Sequence, residues 1–138
     1  MIMKVDLHKS LEQLENKVWG EPEYTSHLVT TLYRLRKKPL KEYTIEDLRI
    51  SIGQNSSLDY LMPLAIEVLN KDILAEGDFY KGDLLHSVLT ADIAYWKQHI
   101  SEWSAVKALF EENRELFDSD SYRKLRRSFE EFEKINEP

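Results

Sequence analysis

Leu7, Leu11, Leu14 and Val18 recur at intervals of four, three and four residues, the spacing of one face of an α-helix. They predict a helix that Gly20 and Pro22 end. Ser10 and Gln13 are spaced for a capping box, in which case that helix starts later. Leu28, Leu32 and Leu35 predict a second helix, capped by Thr25 or Ser26. It must stop near Lys38, because Pro39 disfavours helical backbone in the residue before it. Thr44, with Glu46 and Asp47 in the following turn, caps a short helix carrying Ile45, Leu48 and Ile52, and Gly53 is placed to end it. Asn55, Ser56 and Ser57 make a turn or the next cap. Pro63 fits best in the first turn of a helix through Leu64, Ile66, Val68 and Leu69, with an earlier single turn over 58–62.

The stretch EGDFYKG at 76–82 reads as a loop hinged at two glycines. Asp83 is placed to cap the next helix, with Leu84, Leu85, Val88 and Leu89 on its buried side. A further helix runs over 90–99. Ser101 caps another, whose apolar side carries Trp103, Val106, Leu109, Phe110 and Phe117. Residues 118–120 form a break, and Tyr122, Leu125, Phe129 and Phe132 then follow a 3-4-3 spacing. Short apolar runs such as 48–52 also fit a strand on periodicity alone, but no alternating run of useful length occurs. The expected fold is all-α, a single compact domain of about six to eight short helices.

A length of 138 residues bounds the chain to one domain with a self-sufficient core. Charged residues reach 32%, above the usual quarter or so, which suits helices with solvated outer faces. The absence of cysteine excludes disulfides and thiolate metal sites. The N-terminus turns polar too soon for a secretory signal, and no apolar run approaches the ~20 residues of a membrane span. The expectation is a soluble, cytoplasmic protein.

The net charge of −6 and a pI near 5.3 disfavour nucleic acid as a direct partner, because phosphate binding needs a dominant positive field. The negative charge is concentrated. Between Ser51 and Trp96 stand Asp59, Glu67, Asp72, Glu76, Asp78, Asp83 and Asp92 against Lys71 and Lys81, a balance of −5. An acidic middle with turn-forming glycines suggests a surface that meets a basic partner.

Asp72, Glu76, Asp78 and Asp83 lie within twelve residues, with Phe79 and Tyr80 between them. Aromatics beside charges are typical interface anchors, and acidic steering speeds association with a basic protein. The competing reading is a solvated loop in which Asp83 caps a helix and Phe79 is core. The spacing does not match an EF-hand, so no metal is assigned. His8, His27, His86 and His99 are isolated in sequence, and Ser26 beside His27 is better read as a cap than as a nucleophile. Arg34, Arg36, Lys37, Lys38 and Lys41 read as the solvated positive end of a helix. Arg123, Lys124, Arg126 and Arg127 form a second basic run, interleaved with core positions. Trp19, Trp96 and Trp103 read as core.

The order of motifs from Leu11 to Trp96 resembles the immunity proteins of bacterial contact-dependent growth inhibition (CDI) systems. The matching pieces are LEQLE at 11–15, WGEP at 19–22, SHLV at 26–29, RLRKKPL at 34–40 and TIEDLRISIGQ at 44–54. They continue with LDYLMPLAIEVL at 58–69, LAEGDFYKGDLL at 74–85, Val88-Leu89 and Trp96. Ile73 and Lys81 depart from the pattern, where proline is expected. Residues 100–138 are not covered. The resemblance implies an antitoxin-like role: a cytosolic protein, not an enzyme and without a cofactor, that binds a cognate toxin's C-terminal domain.

Combined with the acidic middle, this implies occlusion of the active site of a basic toxin, a nuclease being the class that must carry positive charge. The expected toxin contacts are Asp72, Glu76, Asp78, Tyr80 and Asp83, with Asp59 and Tyr60 as secondary choices. No catalytic residue is assigned. The alternative is a helical adaptor or regulatory module that self-associates through the Tyr122, Leu125, Phe129 and Phe132 stripe. A small hydrolase is a third class, with no motif in its favour.

Overall fold

A computed structural model describes residues 5–23 and 26–137. Among the described residues the chain is all-α, with eight α-helices and three short 3-10 turns. The helices are α1 (Leu11–Glu15), α2 (His27–Leu35), α3 (Ile45–Gly53), α4 (Leu58–Lys71), α5 (Asp83–Leu89), α6 (Ile93–Gln98), α7 (Ile100–Glu112) and α8 (Arg123–Lys134). The 3-10 turns are Leu40–Glu42, Arg114–Phe117 and Asp120–Tyr122.

Local side-chain capping sets four of the eight described helix starts, at α1, α2, α3 and α6. Ser10 and Gln13 form a reciprocal capping box at α1, and Thr44 and Asp47 do the same at α3. Ser26 accepts the Val29 N–H at the start of α2, while Thr25 lies outside the described residues. Helix α1 is shorter than its apolar spacing predicts. Asn16 turns left-handed at φ 52, which an asparagine tolerates, and Val18 is left 72% exposed.

Three other starts differ from expectation. Helix α4 runs unbroken through Pro63, its sixth residue, rather than beginning near it. The ring cannot donate to the Asp59 carbonyl four residues back. Packing offsets that loss, because Leu58, Leu61, Met62, Ala65 and Leu69 are all buried on this helix. Ser101 sits inside α7 rather than capping it, since the chain bends at His99 and helical geometry resumes at Ile100. Gly82, at φ 93, is the N-cap of α5, so Asp83 is its first residue.

The core has two connected parts. Ile52, Leu61, Met62, Ala65, Leu84, Leu85 and Val88 join α3, α4 and α5. An aromatic part joins α6, α7 and α8. Phe110 stacks on Phe129 at 3.9 Å and on Phe117 at 4.4 Å, and Trp96 meets Phe132 edge-on at 5.1 Å. The Trp103 indole N–H donates to the Phe132 carbonyl at 2.8 Å. Leu125, Phe129 and Phe132 are thus spent on intramolecular packing, which removes the exposed stripe that self-association through α8 would require.

Trp19 is not core. It is 39% exposed, edge-on to Tyr33 and beneath the Arg36 guanidinium at 4.3 Å. In the first basic run Arg34, Lys37 and Lys41 are exposed as expected, but Arg36 and Lys38 are not free solvated charges. Arg36 is 3% exposed and donates to Glu15 at 2.6 Å and to the Lys17 carbonyl at 2.9 Å, clamping the segment after α1. Lys38 pairs with Asp47 at 2.6 Å. In the second run, Arg126 donates to the Phe117 and Ser119 carbonyls. Among the described residues, no helix is long and apolar enough to cross a membrane.

Candidate functional site

Helix α4 ends at Asp72, whose carboxylate accepts the Leu74 N–H at 3.0 Å. The chain then doubles back over 74–82, closed by the Gly82 N–H to the Leu74 carbonyl at 3.2 Å and by a bridge between Glu76 and Lys81. Inside the loop lies the Asp83 carboxylate. Its Oδ1 accepts the Gly77 N–H at 2.7 Å, and its Oδ2 accepts those of Phe79 and Tyr80 at 3.1 and 3.4 Å. Asp83 is 3% exposed and faces the loop, not the helix it opens. As a sequence-derived contact it is therefore placed as the loop's internal anchor.

Glu46, on α3, completes the cradle. Its Oε1 accepts the Asp78 N–H at 2.9 Å, and its two oxygens take the Arg49 Nε and Nη2 at 2.6 Å each. The Arg49 hydrogen bond is the main cause that holds the Glu46 carboxyl below its usual value. Arg49 also stands 3.8 Å from Asp83 and lies over the Phe79 ring at 4.4 Å. Burial, reinforced by Asp83, raises the Tyr80 phenol above its ordinary value. Gly77 suits this crowding, since a Cβ there would lie 2.6 Å from Glu46 Oε1 and would push the carboxylate away from its place in the cradle.

Asp72, Glu76, Asp78 and Tyr80 are brought to the surface of this one loop and its entry. Asp59 and Tyr60 are not. They occupy the first turn of α4, about 20 Å along the helix from Asp72 at 1.5 Å per residue. There Asp59 meets His99 at 3.4 Å, an acid–histidine pair that the linear sequence conceals, and Tyr60 donates to the Leu14 carbonyl at 3.4 Å.

Of the two readings of Phe79, interface anchor or core, the structure excludes the second. Phe79 is 69% exposed, held outward by its own backbone bond to Asp83. Its signal in the sequence is a bulky apolar residue midway between two glycine hinges. Among the described residues, no three His, Asp or Glu side chains converge as a metal-holding group.

A family model described as CDI immunity proteins matches residues 13–106, about two thirds of the chain, from within α1 to the middle of α7. No curated protein matches the chain. The chain belongs to the family of CDI immunity proteins. That membership assigns it an immunity role against a CDI toxin, and so a protein partner. The acidic loop and the first turn of α4 both lie inside the matched region; α8 lies outside it.

Proposed function

We propose that this chain neutralises a basic CDI toxin domain, of nuclease type, by covering its active site with the loop face that carries Asp72, Glu76, Asp78 and Tyr80. It acts as a cytoplasmic binder and performs no catalysis. One observation carries the reading: Asp83 and Glu46 hold the loop by its backbone amides, while Asp78 and Phe79 point into solvent. A loop ordered before it meets its partner loses little conformational entropy on binding. Exposed carboxylates steer a positively charged enzyme toward it, and an exposed aromatic supplies the apolar contact that charges alone do not. Asp83 supports this face from beneath. Asp59 and Tyr60 belong to a separate region at the far end of α4.

The test is co-expression with the C-terminal domain of the large secreted protein encoded beside this chain, reading cell survival and co-purification. The expected result is survival only when both are present, with a stoichiometric complex weakened by salt. Replacing Asp72, Glu76 and Asp78 together by alanine is expected to weaken binding and flatten its salt dependence. Unchanged affinity in that folded triple variant would sink the placement of the interface.

A further inference from the structure

An open groove of about 1120 Å³ lies between α4, from Asp59 to Glu67, the junction of α6 with α7, and the N-terminal segment at Val5 and Leu7. Its apolar floor includes Leu64, Pro63 and Ile100, the last 57% exposed. Its rim carries three carboxylates, Asp59, Glu67 and Glu102. Two of them are positioned. Tyr95 donates its hydroxyl to Glu102 at 2.5 Å, and His99, stacked on Tyr95 at 3.9 Å, reaches Asp59 at 3.4 Å. The groove therefore combines apolar area with an excess of hydrogen-bond acceptors and negative charge.

We infer that this groove is a second docking site for the toxin domain, receiving a segment with a Lys or Arg side chain beside an aliphatic one. The inference rests on the immunity reading above. Charge complementarity selects the occupant. A cationic head meets Asp59, Glu67 and Glu102, while its aliphatic stem and its neighbour cover Ile100 and Leu64. An acidic segment would meet like charge at Asp59, Glu67 and Glu102, and a purely apolar one would bury those carboxylates with only their present partners, His99, Lys71 and the Tyr95 hydroxyl. The end of the groove at Asp59 and Ile100 lies away from the loop, which follows the other end of α4, so a contact there is separable by mutation from one at the loop.

The experiment measures the affinity of the intact chain for the toxin domain encoded beside it, with Ile100→Lys and Glu67→Lys as groove variants and Asp78→Lys as the loop variant. Ile100 and Glu67 are both solvent-exposed, so the variants are expected to melt as the parent does. Each groove variant is expected to bind at least about tenfold more weakly. The combination of Ile100→Lys with Asp78→Lys is expected to multiply the two separate losses, as independent contacts do. Groove variants that bind like the parent, while Asp78→Lys is impaired, would overturn the groove and leave immunity standing. Failure of the parent itself to bind would remove the immunity reading and the groove with it. Dimerisation of the chain alone, abolished by Ile100→Lys, would assign the groove to a second copy and overturn the proposal.

Discussion

Asp83 lies directly under Phe79, accepting its backbone N–H at 3.1 Å while the ring itself stands 69% exposed. A buried carboxylate and a solvent-facing aromatic four residues earlier are thus parts of one device. The charge is spent inward, on amides, and the apolar surface is turned outward.

Asp83→Ala should therefore be costly in two ways. It leaves the Gly77, Phe79 and Tyr80 amides without their acceptor and Arg49 with Glu46 as its remaining anionic partner. Loss of such a buried charged hub is expected to cost about 2–4 kcal/mol. Asp78→Ala removes an exposed side chain and should change stability by less than about 0.5 kcal/mol, while weakening toxin binding. Urea unfolding of the two variants checks the contrast. Equal stabilities would mean that Asp83 does not organise the loop.

Arg36 offers a similar contrast. Its guanidinium serves Glu15, the Lys17 carbonyl and the face of Trp19 together, which a lysine ammonium cannot do. Arg36→Lys is expected to destabilise by about 1–3 kcal/mol and to open Trp19 to solvent. Acrylamide quenching reads this directly, because Trp96 and Trp103 are buried. A lysine variant with unchanged quenching would show that the stack does not cover Trp19.

Stability should fall with acid in two stages. Burial, with help from Lys124, lowers the His86 pKa below its ordinary 6.5. A histidine lowered in this way binds fewer protons folded than unfolded. Its contribution is complete above 6.5 and shrinks as pH drops from there through the native value. Glu46 and Asp47 act lower. Arg49 lowers Glu46; burial opposes ionisation of Asp47, but its bonds to Lys38 and Thr44 prevail and lower it. Their contributions are full above the ordinary 4.5 and 3.8 and are lost as pH falls through the native values. Melting temperature measured from pH 8 to 3 should show both stages, and His86→Gln should remove the upper one. A decline between pH 7 and 5 that persists in His86→Gln would assign that stage elsewhere.

Phe129→Ala should cost about 3–5 kcal/mol, since its ring is buried in the stack with Phe110. Because α8 packs on α5 and α7, the loss should appear in one cooperative transition followed by tryptophan fluorescence and circular dichroism together. Two separated transitions would show that residues 100–138 fold as an independent unit.

The elements that sequence made legible are those whose causes are local. Ser10, Ser26 and Thr44 cap their helices through bonds three residues long, and the 3-4-3 spacing of Tyr122, Leu125, Phe129 and Phe132 reports a real helix face. The acidic loop was visible too, through its two glycines. What escaped depends on partners far along the chain. Arg36 is buried because Glu15 and Ser57, each 21 residues away, receive it. Pro63 is tolerated inside α4 because packing offsets the missing bond. Asp83 looks like a cap in sequence, and only the folded-back loop supplies the amides that turn it round. Phe79 stays open in sequence between core and exposed anchor, because apolarity alone does not record which way a loop is held.

The way the loop is held also bears on how its specificity can change. Asp83 and Glu46 grip main-chain amides, which every residue but proline possesses, rather than the side chains at 78–80. The frame therefore depends little on the lettering it displays, the contact of the Phe79 ring with Arg49 apart. On the interface proposed above, substitutions at these three positions would alter which toxin is matched without first solving a folding problem, provided Gly77 keeps the close approach to Glu46. Such a chain can follow a diverging adversary by rewriting a few exposed letters on a fixed mount.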